Sequence, residues 1–284
     1  MLHFNKLLLL FIFLFFLHNC TALPEKSRYS SDTIKVIKSA EGKGFISKTY
    51  QTTIFRVAVW EKLSPYPKTI HVYIEGDGNS WKSKHVLSKD PTPRHPLGFK
   101  LALRDPHSEV MYIARPCQYQ MAQLDPHCEP RFWSQARYGK EVFLSLHALL
   151  DHIKQDRLHL RFLLIGFSGG GNIAAILSAE RQDVVGFITV AGNLDHERLS
   201  QYHQTTPLRG SLNAKHYLDR LKNIPQKHLI GENDRIVPPW VARDFVTALN
   251  SPCATYHLFE TFSHQRGWDT AWPALIQEPL PNCS

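Results

Sequence analysis

A serine hydroxyl becomes a useful nucleophile only beside a base, and the base works best when a third group fixes its tautomer. Gly166-Phe167-Ser168-Gly169-Gly170 offers such a hydroxyl. It fits the pattern G-x-S-x-G, between an apolar strand-like run from Leu160 and a helical run from Asn172. A very sharp turn there lifts the hydroxyl above a sheet, and bulky side chains next to it would clash. Short Gly/Ser strings occur by chance, so the strand–turn–helix context carries the specificity. The N–H of Gly169 then points at the reacting centre from the positive end of a helix.

Candidate partners lie downstream. The run "HLIGENDRIVPP" ends a strand in a turn carrying Asp234, and "ATYHLFETFSHQRGW" ends another in a loop carrying His264. Both positions fall just past strand C-termini, where open α/β sheets build their sites. Glu232 and Asp195 are rival acids, and Asp234 could instead cap the following helix. The chain has 16 histidines, so coincidence is easy. His257 falls within its strand and His196 precedes the acid's strand, so both suit the base role less well. A second oxyanion donor is expected from the turn in "TIHVYIEGDGNSW": the N–H of Asp77 first, with Gly76 or Gly78 as alternatives. An acidic side chain is out of place beside developing negative charge. The Asp77 carboxylate is therefore expected to turn away or to bind a neighbouring loop.

Strand-like runs begin at Thr53, Thr69, Glu109, Leu160, Val184, Gln226 and Ala254; helical patterns begin at Glu141, Asn172, Asn213 and Pro239. This alternation implies crossover units around a mostly parallel sheet, with helices on both faces. The segment around residues 44–60 could add an antiparallel edge. Between Ala191 and Gln226 there is room for one helix and a loop, hence a short cap. Gly169-Gly170-Gly171-Asn172-Ile173-Ala174 also fits a dinucleotide fingerprint, G-x-G-x-x-A, but that reading leaves the downstream acid and histidine unexplained.

Residues 1–22 read as a signal peptide: Lys6, an apolar run from Leu7 to Leu17, then Cys20, Thr21 and Ala22. Alternatively they hold a lipoprotein leader ending before Cys20, and only then would a membrane anchor follow. Residues 23–284 read as a single domain. Four cysteines remain, an even set suited to an oxidising compartment, periplasmic or extracellular. They allow three pairings, of which proximity favours Cys117–Cys128 and Cys253–Cys283. The formal charge of +8 is scattered rather than massed, and nothing resembles a nucleic-acid recognition element. No metal-ligand cluster is evident, and no cofactor is expected.

"YIEGDGNSW", "DPTP", "ARPCQY", "GFSGGGN", "AGNLDH" and "GSLNA" resemble a poorly characterised, exported bacterial branch of the α/β-hydrolase family. The resemblance spans essentially the whole mature chain. It implies that family's fold and a Ser168–Asp234–His264 triad acting on an ester-like carbonyl. Glu75 and Asp77 depart from the family's usual turn, which bears on the donor more than on the chemistry. The expected substrate is a small or medium acyl ester. Acyl transfer or peptide cleavage would use the same groups, and a catalytically silent envelope binding protein would keep only the fold. The rim is expected from residues 80–108 and a Cys117–Cys128 loop, with Trp81, Phe132 and Trp133 as candidate lining.

Overall fold

A computed structural model describes residues 29–83 and 85–283. The leader and Cys20 lie outside the described residues. Ten strands are present among them: β1 (Ile46–Gln51), β2 (Arg56–Lys62), β3 (Thr69–Ile74), β4 (Trp81–Ser83), β5 (Val86–Leu87), β6 (Val110–Ile113), β7 (Arg161–Phe167), β8 (Val184–Val190), β9 (Gln226–Gly231) and β10 (Ala254–Phe259). The α-helices are α1 (Ser31–Gly42), α2 (Leu97–Ala102), α3 (Met121–Leu124), α4 (Lys140–Lys154), α5 (Gly169–Glu180), α6 (His196–Tyr202), α7 (Leu218–Leu221), α8 (Trp240–Leu249) and α9 (Trp268–Leu275).

Eight strands form one sheet in the order β1-β2-β6-β3-β7-β8-β9-β10. Only β2 runs against its neighbours, pairing antiparallel with β1 and β6; the other pairs are parallel. β4 and β5 form a separate hairpin in the loop after β3.

Side-chain alternation divides the core between the two faces of the sheet. Val57, Val59, Ile70, Val72 and Ile74 pack with α4, α5 and α8. Ala58, Trp60, Tyr73 and Tyr112 face the opposite way, toward α1, α2 and α9. In α4 the buried residues Val142, Leu146, Leu149, Leu150 and Ile153 recur at helical spacing and make one apolar stripe. By contrast, α5 is buried continuously from Gly169 to Ser178. It is the central helix, wedged against the middle of the sheet.

Between β8 and β9 the chain makes α6, a loop, a 3-10 turn at Ala214–Tyr217 and the single turn α7, a short cap as expected. The helical pattern from Asn213 is thus broken into two short pieces. One reason is that Asn172 on α5 reaches across, its Oδ1 accepting the Ala214 N–H (2.8 Å) and its Nδ2 donating to Leu212 O (3.0 Å). Phe132 and Trp133, expected at a rim, are core residues instead, 5% and 6% exposed. Phe132 meets Phe55 edge-on at 4.8 Å, and Trp133 Nε1 donates to Ser88 O. Trp81 does remain exposed.

Candidate active site

The turn from β7 into α5 is as sharp as the glycines suggest. Ser168 has φ 52° and ψ −119°, a conformation that costs a non-glycine residue about 1–3 kcal/mol. Neighbouring backbone holds it there. The Ser168 N–H donates to Val190 O (3.0 Å), and Ser168 O accepts the N–H groups of Gly171 (3.0 Å) and Asn193 (2.9 Å). The glycines permit close approach. A Cβ on Gly166 would lie 2.3 Å from Gly170 O, and one on Gly170 would lie 2.2 Å from Ile74 O. Helix–strand packing therefore accounts for residues that also fit a nucleotide-binding string. The Ser168 hydroxyl does not cap α5, which leaves it for another partner.

That partner is His264. Its Nε2 lies 3.1 Å from Ser168 Oγ, and its Nδ1 lies 2.8 Å from Asp234 Oδ2. Asp234 is 3% exposed. Its other oxygen accepts the N–H groups of Ile236 and Val237, both at 2.8 Å, so the same carboxylate also closes the turn before α8. The two loops are tied together, with Asn233 N–H donating to Phe262 O (3.0 Å) and Asn233 Nδ2 to Glu260 O (2.6 Å). Phe262 stacks on Phe259 and meets Trp268 edge-on, fixing the base of the His264 loop.

The rival side chains lie elsewhere or are already committed. Asp195 caps α6 and binds Lys215 and Asn213. His196 is buried against Tyr138, and burial holds its imidazole below the ordinary value. Glu232 and His257 are exposed.

Of the candidate oxyanion donors, Gly76 is ruled out by its own neighbour, because its N–H donates to Glu75 Oε1 at 2.8 Å. Among the described residues, the N–H groups of Asp77, Gly78 and Gly169 have no protein acceptor, so Gly78 stays an alternative to Asp77. Glu75 is buried beneath the turn. It also accepts the Tyr112 hydroxyl (3.0 Å) and the N–H groups of Gly98 and Phe99 (3.3 Å each). Burial pushes its carboxyl up, partly offset by these hydrogen bonds. Glu75 thus pins the turn to α2 and β6.

The Asp77 side chain binds neighbouring loops but stays close to the centre. Oδ1 accepts Arg115 Nη1 (3.3 Å), while Oδ2 accepts Arg137 Nη1 (2.9 Å) and the Tyr138 hydroxyl (2.8 Å). A Cβ on Gly169 would fall 2.0 Å from Oδ1. Burial alone would raise the Asp77 carboxyl, but the Arg137 and Arg115 charges outweigh it and hold it below the usual range. The two guanidinium groups offset the Asp77 carboxylate, so that side chain adds no unbalanced negative charge beside a developing oxyanion. Sequence reasoning gave no role to Arg115, Arg137 or Tyr138. The quoted "ARPCQY" contains the first of them, but nothing local ties it to Asp77.

No protein-family model matches the chain, and neither does any curated protein sequence. Solved structures do. The Pyrococcus furiosus esterase Pf2001 superposes with a TM-score of 0.59 at 15% identity, covering 83% of this chain and 90% of that one. An alpha-beta serine hydrolase homologue from Coxiella burnetii gives 0.54 at 16%, covering 81% and 95%. The Pyrococcus horikoshii acylaminoacyl peptidase gives 0.57 at 12%, covering 82% of this chain but only 41% of the peptidase. The fold is the α/β-hydrolase fold.

Proposed function

We propose that this chain is a serine hydrolase that cleaves a carboxylic ester through an acyl-enzyme. The observation that carries the reading is the contact between His264 Nε2 and Ser168 Oγ at 3.1 Å, made at a strained elbow and backed by Asp234. His264 takes the proton as Ser168 Oγ attacks the carbonyl carbon. The N–H groups of Gly169 and Asp77 hold the tetrahedral oxyanion. On collapse, the ester C–O bond breaks and His264 returns the proton to the departing alcohol. A water molecule then attacks the acyl-serine, with His264 again taking a proton, and the carboxylate leaves. Asp234 keeps Nδ1 protonated throughout and stabilises the imidazolium.

An ester is favoured over an amide by the extent of the similarities. The esterase is matched over 90% of its length, whereas the peptidase is matched over 41% and most of it has no counterpart here. The two disulfides, Cys117–Cys128 and Cys253–Cys283, support an exported protein working in an oxidising compartment.

Labelling with a fluorophosphonate reports an activated serine without knowledge of the substrate. Label is expected on Ser168 and absent from Ser168→Ala. In His264→Ala the labelling rate should fall at least about 10³-fold. Undiminished labelling of His264→Ala would remove His264 as the base. A wild type inert to the label and to p-nitrophenyl esters would leave a binding protein with a hydrolase fold.

A further inference from the structure

A cleft of about 300 Å³ opens beside the oxyanion turn, its walls including Asn79, Lys82, Ser88, Lys89, Asp90 and Arg94. Asn79 lies two residues from Asp77, so their Cα atoms are within about 7 Å. The cleft is built onto the turn itself: Asn79 N–H donates to Pro91 O (2.9 Å), Asn79 Nδ2 to Ser88 Oγ (3.2 Å), and Ser88 N–H to Ser80 O (2.9 Å).

Its charge is unbalanced. Lys82, Lys89 and Arg94 are exposed, and none has a carboxylate within ion-pair distance among the described residues. Asp90, the acid in the lining, turns one carboxylate oxygen inward to accept the Thr92 N–H (2.8 Å) and hydroxyl. Asp32, on the helix beside this loop, is taken by Lys100 and His95. Several cations elsewhere hold acids: Arg115 and Arg137 hold Asp77, Arg181 holds Asp183, and Lys215 holds Asp195. Isolated surface lysines are ordinary. Three unpaired cations against a single acid in the lining of one cavity leave an excess of positive charge that attracts anions, and a guanidinium among them suits a planar or tetrahedral oxyanion.

We infer that this cleft binds an anionic group, a carboxylate or phosphate, carried by the ester that Ser168 cleaves. The inference rests on the hydrolase reading and narrows its substrate class to esters with a negative charge remote from the scissile carbonyl.

The test compares a p-nitrophenyl monoester of a dicarboxylic acid with its neutral methyl-capped analogue. Wild type should favour the anionic ester in kcat/KM by about tenfold or more at low salt, and the preference should shrink as ionic strength rises. Lys82→Ala/Lys89→Ala/Arg94→Ala should bring the ratio close to one, while Lys82→Arg/Lys89→Arg/Arg94→Lys should retain it. Inorganic phosphate should raise KM for the anionic ester alone. An unchanged ratio in the alanine variant, or equal inhibition of both esters by phosphate, would overturn the inference. Failure to turn over either ester would count against the hydrolase reading. The cleft is then judged by titrating Ser168→Ala with the anionic ester. Affinity about tenfold weaker once the three cations are also removed supports it; unchanged affinity rejects it.

Discussion

Asp77 shows how one residue can serve the site through both backbone and side chain. Its N–H faces the reaction centre in the proposed mechanism, while its carboxylate ties the turn to Arg115, Arg137 and Tyr138. Removing that carboxylate strands two arginines, one of them only 5% exposed. Asp77→Ala should therefore lose about 3 kcal/mol of stability in urea unfolding, as expected when one partner of a buried pair is removed. Because the turn loosens while the Ser168–His264 contact survives, kcat should fall by up to about 100-fold, with fluorophosphonate labelling slowed but not abolished. Labelling at the wild-type rate would mean the carboxylate does not position the donor. The folded pKa lies below the ordinary 3.8, so this carboxylate's contribution is complete above that value and is lost only as the pH falls beneath it.

Strand β9 lies between β8 and β10, and its burial has a measurable consequence. His228 sits on it, fully buried against the rings of Phe187 and Phe245. Gln226 Nε2 donates to Leu221 O and Ile224 O, so its Oε1 faces His228 Nε2 as an acceptor. Nε2 therefore carries the proton, and Nδ1 accepts the Thr189 hydroxyl at 2.8 Å. Burial pushes this imidazole down to about 3. The unfolded chain binds a proton there near pH 6.5 and the folded one does not, so stability rises with pH across the interval between. Below pH 6.5 this single group should remove up to about 1.4 kcal/mol per pH unit. Urea midpoints measured from pH 5 to 7.5 should show a flatter dependence in His228→Gln than in wild type. Parallel curves would place the proton elsewhere.

Across the whole molecule, the site and the segment that latches the C-terminus lie at opposite ends of the same strands. Ser168, Asp234 and His264 follow the C-terminal ends of β7, β9 and β10. The N-terminal ends of β8, β9 and β10 are covered by residues 278–283. There Lys227, 1% exposed, donates to Glu278 O (3.0 Å) and approaches the Glu278 carboxylate (3.3 Å), while Leu280 fills the space above Gly186. The Cys253–Cys283 disulfide closes this segment onto the start of β10. Replacing both cysteines by serine should cost about 4 kcal/mol by chain-entropy reasoning, read as a lowered urea midpoint. Labelling of Ser168 should persist at temperatures where the variant stays folded. Loss of labelling in the folded variant would show that the two ends of the strands are coupled.

The division between what was readable in one dimension and what was not follows from the range of each interaction. Runs rich in β-branched and aromatic residues marked the strands of the parallel part of the sheet, several of them continuously apolar because strands covered on both faces write their burial into neighbouring residues. The elbow was legible for the same reason: a turn that tight needs glycine within two positions of the serine. The helical pattern from Asn213 misled, since contacts from Asn172, about forty positions away, decide how that segment folds. Phe132 and Trp133 misled too, because an aromatic residue's type does not say which face of a loop turns inward. Chain order could nominate Asp234 and His264, but Ser168 and His264 are separated by 96 positions and meet only because the sheet sets β7 two strands from β9 and three from β10. The clamp on Asp77 and the unpaired cations beside it belong wholly to tertiary structure, since charge balance is settled by which side chains arrive within a few ångströms of one another.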